Sequence, residues 1–222
     1  MPANAPSDAP PLGFLSRLHA DHVVDLTERT PRNAPDALED RILTATLHCL
    51  GRWGTAKTTL DDVAKEAGCS RATVYRTFPG GKDALFLVAA ERELLQALSA
   101  LAATAHAAPS LADLLADVLS DGVRAIQQHR VLQYLLEHEK GIILPYITFD
   151  GIDPLLALVR ACLSPALERF LPPTAASVTA EWVVRIALSY GLEDPDGPAL
   201  ADPEQARLFV ATFMLPALEP EE

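Results

Sequence analysis

Arg71, Thr73, Tyr75 and Arg76 bring two guanidiniums, an alcohol and a phenol into one short stretch that contains no carboxylate. An arginine presents a planar fork of N–H groups that fits the acceptor edge of guanine, and hydroxyls bond phosphate oxygens. With the small Ala72 between them admitting close approach, this set has the chemistry to read double-stranded DNA. Such chemistry needs a firm surface, and the flanking residues supply one. Ser70 is placed to cap a helix over roughly 71–78 by accepting a bond from the Thr73 amide. In that helix Val74 and Phe78 turn inward, while Ala72 and Arg76 turn the opposite way.

A second helix must precede it. Leu60, Val63, Ala64 and Ala67 follow the i, i+3, i+4, i+7 spacing of an apolar helical stripe. Thr59 stands before the stripe as an N-cap, and Asp62 three residues on completes a capping-box pattern. Gly68 tolerates positive φ and ends this helix sharply. The expectation is a helix-turn-helix with its axes about 90° or more apart.

These residues also carry a resemblance. Thr58-Thr59, Val63-Ala64, Ala67-Gly68-Cys69-Ser70, Thr73-Val74-Tyr75 and Phe78, followed by Lys82 and Leu85, resemble the N-terminal domain of TetR-family transcriptional regulators. The resemblance runs from Asp36 to about Leu85. Cys69 stands where the family often has valine, and Pro79-Gly80-Gly81 replaces a commoner polar turn. The resemblance implies that Thr59, Tyr75 and Lys82 contact phosphates, and that Arg71, Ala72, Thr73 and Arg76 make base or mixed contacts. Lys82 also falls at an expected helix N-terminus, where amides and the dipole favour an anion. The family further implies a homodimer on double-stranded operator DNA, most often a repressor, released by a small effector.

Charge at first argues against that partner, since the whole chain carries −12. Its distribution removes the objection. Basic and acidic residues balance from Asp36 to Leu85, whereas the part from Phe86 onward carries −11. Acid lying away from the reading face limits non-specific binding and aids solubility. Helix formers dominate, and no alternating β-branched run appears. No apolar run reaches the roughly eighteen residues of a membrane span. Cys49, Cys69 and Cys162 are too few and scattered for a disulfide framework, which suits a reducing cytoplasm.

The expected fold is all-α, an N-terminal three-helix head bearing the helix-turn-helix and a helical body for ligand binding and dimerisation. Residues 1–35 form a Pro-rich extension, 36–85 the DNA-binding domain, and 86–222 the effector and dimerisation domain. A first helix is expected over Asp36–Trp53, ended by Gly51 and Gly54, and a long connecting helix over Gly81–Ala105. Body helices follow over Ser110–His129, Arg130–Lys140, Asp153–Phe170 with a disturbance at Pro165, and Ala176–Gly191. Asp202-Pro203 opens the last one as N-cap and N1. Trp182, Ile186, Phe209 and Phe213 supply anchors for a dimer surface on the last two helices, if they do not simply fill the core.

An effector site has weaker support. Tyr134, Leu135, Ile142, Ile143, Ile147 and Phe149 could line a pocket for a hydrophobic molecule, although apolar runs of this kind are more often ordinary core. His19 and His22 with Asp21 and Asp25 lack a third strong metal ligand, and His138 between Glu137 and Glu139 suits a solvated helix end. No phosphate loop, nucleophile elbow or CxxC motif is present, so neither an enzyme, a metal nor a cofactor is expected. The competing reading is a small-molecule binding or interaction protein that keeps the fold without specific operator binding.

Overall fold

The structure, a computed structural model, describes residues 34–141, 152–192 and 197–218. No strand occurs among them. Helices α1 (Ala34–Lys57), α2 (Leu60–Glu66), α3 (Arg71–Thr77) and α4 (Gly81–Ala107) lead into the body. There α5 (Leu111–Gln128), α6 (Arg130–His138), α7 (Asp153–Leu167), α8 (Pro173–Leu192) and α9 (Pro203–Phe209) follow.

Two apolar clusters organise these helices. The first gathers Ile42, Ala45 and Cys49 of α1, Val63 and Ala64 of α2, Val74 of α3, Phe78, and Leu85 and Ala89 of α4. The second gathers Leu98 and Ala105 of α4 with Leu115, Leu119 and Val123 of α5, Leu158 and Leu163 of α7, and Ala180, Val183 and Ala187 of α8. Helix α4 thus contributes to both cores and ties the head to the body. Arg92 reinforces the tie from α4 by donating to the Asp40 carboxylate at 2.8 Å, the Asp40 carbonyl at 3.1 Å and Thr44 Oγ1 at 3.2 Å, all on α1. At the far end Arg169 donates to the carbonyls of His106 (2.8 Å) and Ala108 (3.0 Å), where the C-terminus of α4 favours a cation. Helices α5 and α8 approach closely because glycines sit at the crossing: a Cβ on Gly191 would lie 2.8 Å from Ile126 Cβ.

Several boundaries differ from the sequence expectation. Helix α1 does not stop at Trp53 but continues to Lys57 across a kink at Gly54, which adopts φ 75° and ψ 179°. The Thr58 hydroxyl and amide donate back to the Gly54 carbonyl at 2.7 and 3.2 Å, so the kink leaves that acceptor satisfied. Helix α7 runs through Pro165 to Leu167, and the proline is exposed. Helix α8 starts at Pro173 rather than Ala176, because proline fits the first helical turn, whose amides have no partner in the helix. The last helix is short. After Phe209 the chain widens into a π turn over Val210–Met214 and a 3-10 turn over Leu215–Ala217. Pro216 accounts for the change: an α-helix continuing through it would lose an amide donor and clash with the carbonyl four residues back.

Candidate nucleic-acid interface

The helix-turn-helix is built from local bonds that its residue types dictate. The Asp62 amide donates to Thr59 Oγ1 at 3.2 Å, and the Thr59 amide donates to Asp62 Oδ2 at 3.0 Å, so the capping box is complete in both directions. The Thr59 hydroxyl also donates to that carboxylate at 2.6 Å. These bonds, first from the Thr59 side chain and then from its backbone, hold the Asp62 carboxyl below its usual range. Helix α2 closes in a Schellman motif. Gly68, at φ 65°, donates to the Lys65 carbonyl at 3.2 Å, and the Cys69 amide donates to that of Ala64 at 2.9 Å.

Helix α3 starts where expected. The Thr73 amide donates to Ser70 Oγ at 3.0 Å, and the Thr77 hydroxyl donates to the Thr73 carbonyl at 3.0 Å. Val74 is fully buried and Phe78 nearly so, which sets the inner face. Arg71, Ala72, Tyr75 and Arg76 are exposed and Thr73 is half-buried. Tyr75, 57 % exposed, is a large ring left in water rather than a core residue.

The remaining two expected DNA contacts lie on neighbouring elements. Thr59 is exposed at the N-terminus of α2. Lys82 is half-buried in the first turn of α4, where its Nζ donates to the Thr55 carbonyl at 3.0 Å and lies 5.5 Å from the centre of the Phe86 ring. One of its three donors is therefore used inside the head.

Three contacts around this surface do not follow from motif or spacing. Arg71 Nη1 donates to Asp61 Oδ2 at 3.0 Å, joining the two helices of the motif on their outer side. Arg41 of α1 donates to the Ala67 carbonyl at 3.3 Å, next to the turn. The Thr55 amide and hydroxyl both donate to the Glu139 carboxylate at the end of α6, at 3.2 and 2.5 Å. Tyr134 of α6 crowds the same kink: a Cβ on Gly54 would lie 2.5 Å from its ring. The Tyr134 ring also stacks on His138 at 4.5 Å.

Of the other residues singled out, Leu135 is half-buried on α6, while Ile142, Ile143, Ile147 and Phe149 lie outside the described residues, as do His19 and His22. Trp182 and Phe213 are 40 % and 65 % exposed, and Ile186 and Phe209 are half-buried. Phe209 packs against Phe213 at 5.2 Å and Tyr190 at 5.9 Å between ring centres. No group of His, Cys, Asp and Glu suited to a metal occurs among the described residues.

Comparison with known proteins agrees with this geometry. Residues 42–89 match the family model for bacterial regulatory proteins of the tetR family. The fold resembles that of the TetR-family repressor AlkX from Dietzia sp. strain DQ12-45-1b, with a TM-score of 0.58 and 23 % identity over 81 % of this chain and 94 % of that one. A TetR-family transcriptional regulator from Pectobacterium atrosepticum gives 0.56 at 16 % identity, over 86 % of this chain and all of that one. The fatty acid degradation regulator FadR from Bacillus halodurans gives 0.52 at 15 % identity, over 82 % of this chain and 98 % of that one. No curated protein matches in sequence. Residues 42–89 thus match the N-terminal domain of the tetR family, and the chain shares the all-α fold of the regulators it resembles.

Proposed function

We propose that the protein is a homodimeric transcriptional repressor that binds a palindromic operator in the cytoplasm and is released by a small hydrophobic effector. The observation that carries the reading is the outer surface of α3, which exposes Arg71, Ala72, Tyr75 and Arg76 while Val74 and Phe78 anchor the helix from behind. Arg71, Ala72, Thr73 and Arg76 would meet base edges or make mixed contacts. Thr59, Tyr75 and Lys82 would hold phosphates. Residues 36–85 act as the reading head, and 86–222 as the effector and dimerisation body.

A single α3 spans only a few base pairs, so reading an operator calls for two copies on half-sites about 34 Å or a multiple apart. Among the described residues of the body, Val178 and Trp182 of α8, Leu208 of α9 and Phe213 of the π turn are the large apolar side chains left exposed. Their exposure supports a partner copy packing there, with Ile186 and Phe209 beneath. Helix α6 supports the effector role of Tyr134 and Leu135, since it ends against the α1 kink through Glu139 and Thr55. To release DNA a hundredfold, an effector needs a preference of about 2.7 kcal/mol for the non-binding geometry. No helix among the described residues is long and apolar enough to cross a membrane.

The test is binding to the promoter DNA beside the protein's own gene, with random duplex as competitor. Wild-type protein should resist the competitor, and Arg76→Ala should lose affinity with its thermal unfolding almost unchanged. Equal, weak binding of both proteins to promoter and random DNA would reject autoregulation. A comparable loss of folding in Arg76→Ala would reject its surface role.

A further inference from the structure

The two arginines of α3 are not in the same situation. The Arg76 side chain makes no bond to another residue among the described residues, whereas Arg71 is held by Asp61 Oδ2 at 3.0 Å. Asp61 stands on a firm frame: it lies in the first turn of α2, beside the Thr59–Asp62 capping box. The Gly68 turn brings that helix alongside the start of α3, so residues ten apart in sequence meet on the outer side. Both side chains are about two-thirds exposed, so the pair adds little to folding stability. Its consequence lies at the DNA surface.

A free arginine on a reading helix sweeps many rotamers and is drawn to any phosphate within reach. Tethered through one N–H, Arg71 keeps its other donors while losing much of that freedom and part of its net attraction for phosphate. We propose that Asp61 is a specificity-determining positioning residue: it presents the Arg71 guanidinium to a guanine edge and suppresses indiscriminate phosphate binding by the same group. The proposal deepens the regulator reading and rests on it. The balanced charge of the head fits this division, in which Arg71 reads and Arg76 supplies a cation with no side-chain partner among the described residues.

The experiment uses the full-length protein and duplexes recovered by selection from a random library with the wild type. Each base pair of the recovered half-site is then replaced symmetrically, and binding is compared for wild type, Asp61→Asn, Asp61→Glu, Arg71→Ala and the Asp61→Asn/Arg71→Ala double variant. Arg71→Ala should abolish the preference for guanine at one position, a loss of roughly tenfold or more. Asp61→Asn should weaken the preference at that same position and raise affinity for random duplex, with an almost unchanged unfolding temperature. The double variant should match Arg71→Ala, and Asp61→Glu should retain part of the preference. If Asp61→Asn keeps the full wild-type profile, or weakens every position alike, the positioning role is wrong while the regulator reading stands. If the wild type selects no duplex at all, the regulator reading fails and this inference falls with it.

Discussion

Helix α3, the proposed recognition helix, has seven residues, too few to persist alone in water, so its capping residue and the helix it packs on decide whether its outer surface exists. Ser70 starts α3, and the Thr59–Asp62 box starts α2 beside it, each through bonds between residues three apart. Asp62 makes the box dependent on pH. Its carboxyl is held low by the Thr59 bonds, so its stabilisation is fully present above the ordinary carboxylate range near 4 and is lost as pH falls through the lowered value. Acid titration of Asp62→Asn should therefore show a head whose stability falls less between pH 5 and pH 2 than that of the wild type, followed by hydrogen exchange of the α2 amides. An identical fall in both proteins would show that the capping carboxylate does not stabilise the head. These local features were legible in the sequence because type and spacing alone fix the partner. The Arg71–Asp61 pair was not, since ten residues separate the partners and only the geometry of the turn brings them together.

At the scale of elements, the helix order and most helix starts followed from caps and apolar periodicity. What spacing did not disclose is how α1 ends. Gly54 was expected to stop the helix, yet the chain turns there and resumes to Lys57. The reason lies 80 residues and more away, where Tyr134 covers Gly54 and Glu139 accepts from Thr55. Two glycines at similar φ offer a direct comparison. At Gly68 a Cβ would meet nothing within 4 Å, so Gly68→Ala carries only the strain of a left-handed residue, about 1–2 kcal/mol. At Gly54 the backbone, at φ 75° and ψ 179°, lies in a region open essentially to glycine alone, and overlap with Tyr134 adds to that strain, so Gly54→Ala should be the more destabilising in urea. Pairing it with Tyr134→Ala should recover part of the loss. Equal midpoints for the two glycine variants would mean that α6 does not press on the kink as described.

For the whole molecule, charge and exposure follow one division. The head is neutral overall and turns its arginines outward on α3, while the acid lies from Phe86 onward. The body exposes Trp182 and Phe213 far from the reading helix in sequence, and α4 joins the two cores. Which aromatics would stay exposed was not legible: the i+4 spacing of Trp182, Ile186 and Tyr190 suits a core and an interface equally. Packing separates them, leaving Trp182 exposed with Ile186 and Tyr190 half-buried. A neutral head on an acidic body gains little from bulk attraction to DNA, so the proposed operator binding would rest on matched contacts made twice. The most direct measurement is selection from a library of random duplexes by the full-length protein at near-physiological salt. Paired reading heads predict enrichment of an inverted repeat, with half-sites about one helical turn or a multiple apart and guanine favoured within each. A pool that stays random, or is enriched only in single half-sites bound one copy at a time, would contradict dimeric, sequence-specific recognition.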